Sequence, residues 1–422
     1  MKLLARTPPM GWNSWDNYGA SVTEAEVLAT ASAMRDRLLP FGWDTVVVDI
    51  QWYEPRATGT AYNAFAHLEL DNWSRLVPST IRFPSSREGR GFGPLAEQIH
   101  GLGLKFGIHI MRGVPRQAVH ADSPILGSKQ TARQIAHQSS ICPWNTDMYG
   151  VDATAPGSQE YYNSLLELYA SWGVDFLKVD DILSPYHRGE IDLIRNAIDS
   201  CGRDILLSLS CGPTDLEDAS HLRKTADMWR TTGDFWDRWE DLRAAIDTCA
   251  AWAPFTGGGR WADADMLPLG WIATRSGPTD GDGRNSRFTA AEQRFLMTLW
   301  CVARSPLFLG ADLTRLDDAT MNLLTNEEVL DVSRSGVNPR ERYRANDIVV
   351  WSADMTAGTT AVGVFNLSNA PRTVQVNVAA LGLRGDVSVR DLWLKQDLGQ
   401  SNTTVAVDMD AHGAQLFAVV PR

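Results

Sequence analysis

From residue 23 onward one unit recurs: an amphipathic helical stretch, a glycine, then a short run that is apolar without alternation. Thr23 and Glu26 form a capping-box pattern, and Val27, Ala31, Met34 and Leu38 follow at helical spacing until Pro40 and Gly42 end the helix. The run TVVVDI (45–50) comes next. PLAEQIHGLG then leads into LKFGIHI (104–110), YYNSLLELYASWG into VDFLKVD (174–180), and EIDLIRNAIDSCG into DILLSLS (204–210). Strands apolar on both faces belong in a parallel sheet covered by helices on either side. Four consecutive copies, with more before and behind, predict a (β/α)8 TIM barrel rather than an open doubly wound sheet. No Gly-x-Gly-x-x-Gly follows the first strand, which lowers the dinucleotide-binding alternative.

After about residue 325 the periodicity changes. DIVVWSA, TAVGVFNLS, RTVQVNV, DVSVRDLWL, TTVAVDM and AQLFAVV are short runs punctuated by Gly, Asn, Pro and Asp, with no long helical pattern between them. They predict a C-terminal antiparallel β-domain over 326–422, its boundary falling somewhere in 325–345, behind a barrel over 1–325. Barrels build their active sites from the loops after the strands, and loops 53–92 and 111–158 are long for that role.

Composition narrows the partners. A net charge of −12 at pH 7 disfavours nucleic acid and anionic lipid, and a neutral small substrate fits that field better. No apolar run reaches membrane-spanning length. Five scattered cysteines, with no Cys-x-x-Cys, favour neither a disulfide framework nor a structural zinc site. The N-terminus lacks an apolar leader segment, so the expectation is a cytoplasmic protein, with homo-oligomer formation left open. For the 16 tryptophans, core packing is the commoner role and sugar stacking the alternative.

The predicted strand ends carry Asp49, His109, Asp180 with Asp181, Ser210, Arg230 with Asp234, and Asp263 with Asp265. Paired carboxylates across a pocket are what glycoside hydrolysis needs. Lys178 and Asp180, two apart on a strand, share a face, and an ammonium beside Asp180 favours its ionised form. A strand-end ion pair without chemistry is the competing reading. Asp234 lies on the loop four residues past Arg230, where it suits a general acid or the cap of the following helix. An acidic magnesium site at Asp180, Asp181, Asp263 and Asp265 lacks supporting histidines, and a nucleophilic Ser208 or Ser210 lacks the Gly-x-Ser-x-Gly elbow. A non-catalytic carbohydrate-binding barrel is a further alternative.

PPMGWNSWDNYG, VVVDIQWYEP, LGLKFGIHI, GVDFLKVDD, MWRTTGD, RWADADMLPLG and SPLFLGADL occur in order over residues 8–315. Together they resemble family 27 of the glycoside hydrolases, the α-galactosidase family, which implies a catalytic TIM barrel followed by a C-terminal antiparallel β-sandwich. The resemblance implies a retaining mechanism without cofactor or metal, with Asp180 as nucleophile and Asp234 as acid/base. It also implies that Trp15 underlies the sugar while Asp49, Lys178 and Arg230 bind its hydroxyls. The two carboxyl groups are then expected roughly 5–5.5 Å apart. Typical α-galactosidases carry paired aspartates after the second strand, whereas Asp49 is followed here by Ile50. Loss of a hydroxyl acceptor costs about 1–3 kcal/mol, and β-L-arabinopyranose lacks the hydroxymethyl that the second acid holds. The chain is therefore similar to the β-L-arabinopyranosidase branch, with α-galactosidase as the alternative. His109 stands where many members have Tyr, and Ser210 where α-galactosidases have Glu. A small residue at 210 admits a 2-acetamido group, which keeps an α-N-acetylgalactosaminidase third.

Overall fold

A computed structural model of the chain describes residues 2–276 and 283–422. Eight short strands form one parallel sheet: β1 (Met10–Asn13), β2 (Thr45–Val48), β3 (Lys105–Met111), β4 (Phe176–Asp180), β5 (Leu206–Leu209), β6 (Met228–Arg230), β7 (Trp261–Asp263) and β8 (Leu307–Leu309). Their hydrogen-bonded order is β7-β6-β5-β4-β3-β2-β1-β8. The seam between β7 and β8 is joined just past β7, where Leu267 bridges Leu309 in parallel and its N–H donates to the Phe308 carbonyl at 2.7 Å. The sheet thus curls into the TIM barrel that the repeated unit predicts.

The helices between the strands follow from their apolar spacing. In α1 (Glu24–Arg37) the Thr23–Glu26 capping box is formed, and Val27, Ala31, Met34 and Leu38 are fully buried against the barrel. The strands after it are buried on both faces, as non-alternating runs require. Most of the tryptophans serve the core: Trp12, Trp43, Trp52, Trp229, Trp261, Trp300 and Trp351 are among the largest fully buried side chains.

The helical part continues past 325 to a helix over Glu327–Ser335, and antiparallel pairing starts at Val337. The strands are β9 (Val337–Ala345), β10 (Ile348–Asp354), β11 (Thr360–Asn366), β12 (Arg372–Asn377), β13 (Val387–Asp391), β14 (Gln396–Ser401), β15 (Thr404–Met409) and β16 (Ala414–Pro421). Six form a sheet in the order β9-β10-β11-β16-β13-β14, and β12 pairs with β15 in a second. The sequence pattern misses β9 and β14. Both lie at the edges of the larger sheet, where polar, partly solvated residues replace the apolar alternation. Ile348 and Val350 pack into the core of this domain, while Val349, Trp351 and Ala353 join the barrel's core, so β10 is buried on both faces. His412 stacks on Trp239 with ring centroids 3.7 Å apart and bonds Glu292 at 2.7 Å. Among the described residues no helix is long and apolar enough to cross a membrane.

Close approach of β1 to its neighbours demands glycine at position 11. A Cβ there would lie 2.3 Å from the Thr45 carbonyl oxygen and 2.8 Å from the Phe308 ring. Gly11→Ala should destabilise the barrel by about 1–3 kcal/mol through overpacking, read as a lower thermal midpoint by circular dichroism. An unchanged midpoint would show that β1 and β2 can separate at no cost.

Candidate active site

The C-terminal strand ends converge on a cavity of about 350 Å³, at the small end of the range for ligand pockets. Trp15, Asp49, Ile50, Lys178, Asp180, Ser210, Arg230 and Asp234 all line it. Of the residues that the family resemblance nominates, His109 alone does not line it: it is fully buried and reaches the site through Asp180.

Charge in the floor is compensated pair by pair. Lys178 Nζ donates to Asp49 Oδ2 at 2.9 Å, and Asn13 Nδ2 donates to the same oxygen at 2.7 Å. Lys178 thus bonds Asp49, where the sequence pointed to Asp180. Asp180 is held instead by His109 Nε2, 3.0 Å from Oδ2, and by the Asp181 N–H, 2.7 Å from Oδ1. Burial opposes ionisation of Asp180, but the His109 hydrogen bond and the charges of His109 and Lys178 outweigh it and hold the carboxyl far below the usual range. Burial likewise opposes ionisation of Asp49, which is nevertheless lowered, chiefly by Lys178. Asp181 turns away and pairs with Arg112 at 3.0 Å.

Arg230 links the other side of the floor. Its Nη2 lies 2.7 Å from Asp265 and 3.3 Å from Asp234. Asp234 does not cap the following helix, which starts at Trp239 after Arg238. Its side chain is 67% exposed, against 13% for Asp180. One carboxylate therefore sits in the floor and the other at the mouth, open to solvent.

Several wall residues escape the sequence reading. Asp16 is buried on the cavity wall with Oδ2 unpartnered, and burial, then the nearby Asp265, push its pKa well up. Gly310 makes room for it: a Cβ there would lie 2.3 Å from Asp16. Tyr62 and Trp144 line the cavity from long loops, Trp236 from the short connection after β6, and Cys211 lies beside Ser210. A tryptophan in a polar Cys-Pro-Trp-Asn loop was the available signal for Trp144. Asp16 had none, since its neighbours come from distant strands. Among the described residues no three His, Cys, Asp or Glu side chains form a metal-binding group.

Comparison with known proteins gives the family. The alpha galactosidase A family model matches residues 127–335, and the alpha galactosidase C-terminal beta sandwich model matches 345–419. A solved GH27 β-L-arabinopyranosidase from Geobacillus stearothermophilus is 53% identical over 99% of this chain and 97% of its own, with a TM-score of 0.97. The chain belongs to glycoside hydrolase family 27. A Bacillus halodurans C-125 protein, provisionally described as an α-N-acetylgalactosaminidase, is 46% identical over 100% of this chain and 99% of its own, with a TM-score of 0.91. The α-galactosidase of Cyamopsis tetragonoloba is 29% identical over 99% of this chain and 87% of its own length. As a family 27 member the protein is a glycoside hydrolase acting on a carbohydrate.

Asp263 lies beneath this family 27 site, with Oδ1 accepting the Asp265 N–H at 2.9 Å. Burial, against Arg230 and with Asp265, pushes its pKa up to about 7. The folded chain retains a proton that the unfolded chain has lost, so the stability linked to Asp263 is full below about pH 4 and is lost as pH rises through about 7. Asp263→Asn, whose side-chain oxygen can still accept that N–H, should flatten the decline of thermal midpoint between those pH values. Parallel curves for the two proteins would contradict a proton on Asp263.

Proposed function

We propose that this chain is a retaining exo-glycosidase that releases terminal β-L-arabinopyranosyl residues. In this reading the barrel, to about residue 325, supplies the site. Asp180 attacks the anomeric carbon while Asp234 gives a proton to the glycosidic oxygen, and the leaving group departs as a neutral alcohol. The product of that step is a glycosyl ester of Asp180. Asp234, now a carboxylate, takes a proton from water as its oxygen attacks the anomeric carbon and frees Asp180. The environments of the two acids support this division of roles. Asp180 is kept ionised by His109 and its neighbours, as a nucleophile must be, and Asp234 is reached from solvent.

The observation that carries the choice of sugar is Ile50. It lines the cavity beside Asp49, whose Oδ2 is already taken by Asn13 and Lys178. A branched apolar side chain there offers no acceptor to a galactose hydroxymethyl and covers the bare C5 of an arabinopyranose. The Geobacillus stearothermophilus relative is named for that activity and has been solved as a variant with arabinose bound. Release of α-D-galactose is the second reading, favoured by the α-galactosidases among the relatives. An α-N-acetylgalactosaminidase is third, favoured by the small Ser210 on the wall.

Parallel kcat/KM measurements on nitrophenyl β-L-arabinopyranoside, α-D-galactopyranoside and its 2-acetamido analogue test the choice. The arabinopyranoside should be the best substrate, and Ile50→Asp should move the ratio toward the galactoside by about ten- to a hundredfold, the worth of one paired hydroxyl. An unchanged ratio would remove Ile50 as selector. Asp180→Ala should abolish turnover at every pH, whereas Asp234→Ala should spare activated leaving groups relative to poor ones. Equal losses on both classes of leaving group would count against the division of roles.

A further inference from the structure

Outside its charged floor the cavity has an aromatic wall with no part in the chemistry above. The Trp15 and Tyr62 rings stack with centroids 6.1 Å apart and 22° between planes, and Tyr62 meets Trp144 at 5.8 Å. The three rings form a stair from the floor to the mouth. Its last step, Trp144, is 38% exposed and still lines the cavity, as does Trp236, two residues past the solvent-reaching Asp234. A tryptophan held at a cavity mouth with an open face is suited to cover a flat apolar surface.

The loops carrying the stair are fixed before anything binds. The Phe65 N–H donates to Thr146 Oγ1 at 2.7 Å, tying the loop of Tyr62 to that of Trp144. Gln51 Nε2 and Tyr53 OH each donate to Asp147 Oδ2 at 2.9 Å, anchoring the second loop beside β2. A preformed ring-sized face loses little freedom on binding.

We propose that Trp144, backed by Tyr62, is a leaving-group subsite that stacks a six-membered ring with one apolar face. A second pyranose and an arene both present such a face. The inference rests on the glycosidase reading above and deepens it: the floor selects the sugar to be released, and the stair selects what that sugar is attached to. Trp144 contacts the leaving group alone and takes no part in proton or glycosyl transfer.

The test uses the full chain with Trp144→Ala and Trp144→Phe on three substrates: nitrophenyl β-L-arabinopyranoside, an arabinopyranosyl-pyranose disaccharide, and β-L-arabinopyranosyl fluoride, whose leaving group has no ring. For Trp144→Ala the ratio of kcat/KM on a ring-bearing substrate to that on the fluoride should fall about tenfold, roughly the worth of one stacked ring. Trp144→Phe should restore most of it. A fall confined to the disaccharide or to the nitrophenyl glycoside supports the subsite and identifies its ring. An unchanged ratio, whether or not all rates drop together, overturns the proposal, since Trp144 then acts through the Tyr62–Trp15 stack or not at all. Wild-type failure on arabinopyranosyl fluoride would instead sink the arabinopyranosidase reading, and the same ratio measured with α-galactosyl substrates would decide the subsite.

Discussion

Carboxylates crowded into a low-dielectric floor are tolerable only when each finds a cation or donor, and that constraint organises this molecule. Asp49 has Lys178, Asp180 has His109, and Asp265 has Arg230. Each pair joins residues from different strand ends, so the charge pattern and the curling of the sheet are one arrangement. A lost partner leaves a buried charge uncompensated, which is far more damaging than the modest net gain of the intact pair. Where compensation falls short of the cost of burial, as at Asp16, Asp263 and even the Arg230-paired Asp265, burial raises the pKa.

The pairing also divides the cavity by depth. In the floor, side chains sit on strand ends and are fixed by hydrogen bonds from neighbouring strands. At the mouth they sit on long loops, and fixation comes from Asp147 and from the Phe65–Thr146 bond between loops. Asp234 stands between the two zones, close to Arg230 below and open to solvent above. In the proposed reading, the nucleophile and glycone selection draw on the strand ends, while the acid/base and the surroundings of the leaving group draw on loops.

The repeated helix-glycine-strand unit made the barrel legible, because period and burial are local properties. The same reasoning found the strands of the β-domain that alternate and lost β9 and β14, which lie at solvated edges. At the site, the carboxylates and cations at strand ends could be nominated from position alone. Asp16, on a short helix, could not, because its surroundings come from distant strand ends. Tyr62 could not, since an irregular loop gives no periodic signal for the direction of a side chain, and for Trp144 the one signal was its place in a polar loop.

The sequence alone determined the class of fold, the supply of charged groups at strand ends, and the apolar Ile50 beside Asp49. Only the tertiary structure decided who pairs with whom. Lys178 is two residues from Asp180 yet bonds Asp49, 129 residues away, and His109 takes Asp180 from 71 residues away. Spacing along a strand fixes which face a side chain leaves by. Its partner is set by the register of neighbouring strands in the curled sheet, a relation between distant segments that no local pattern records.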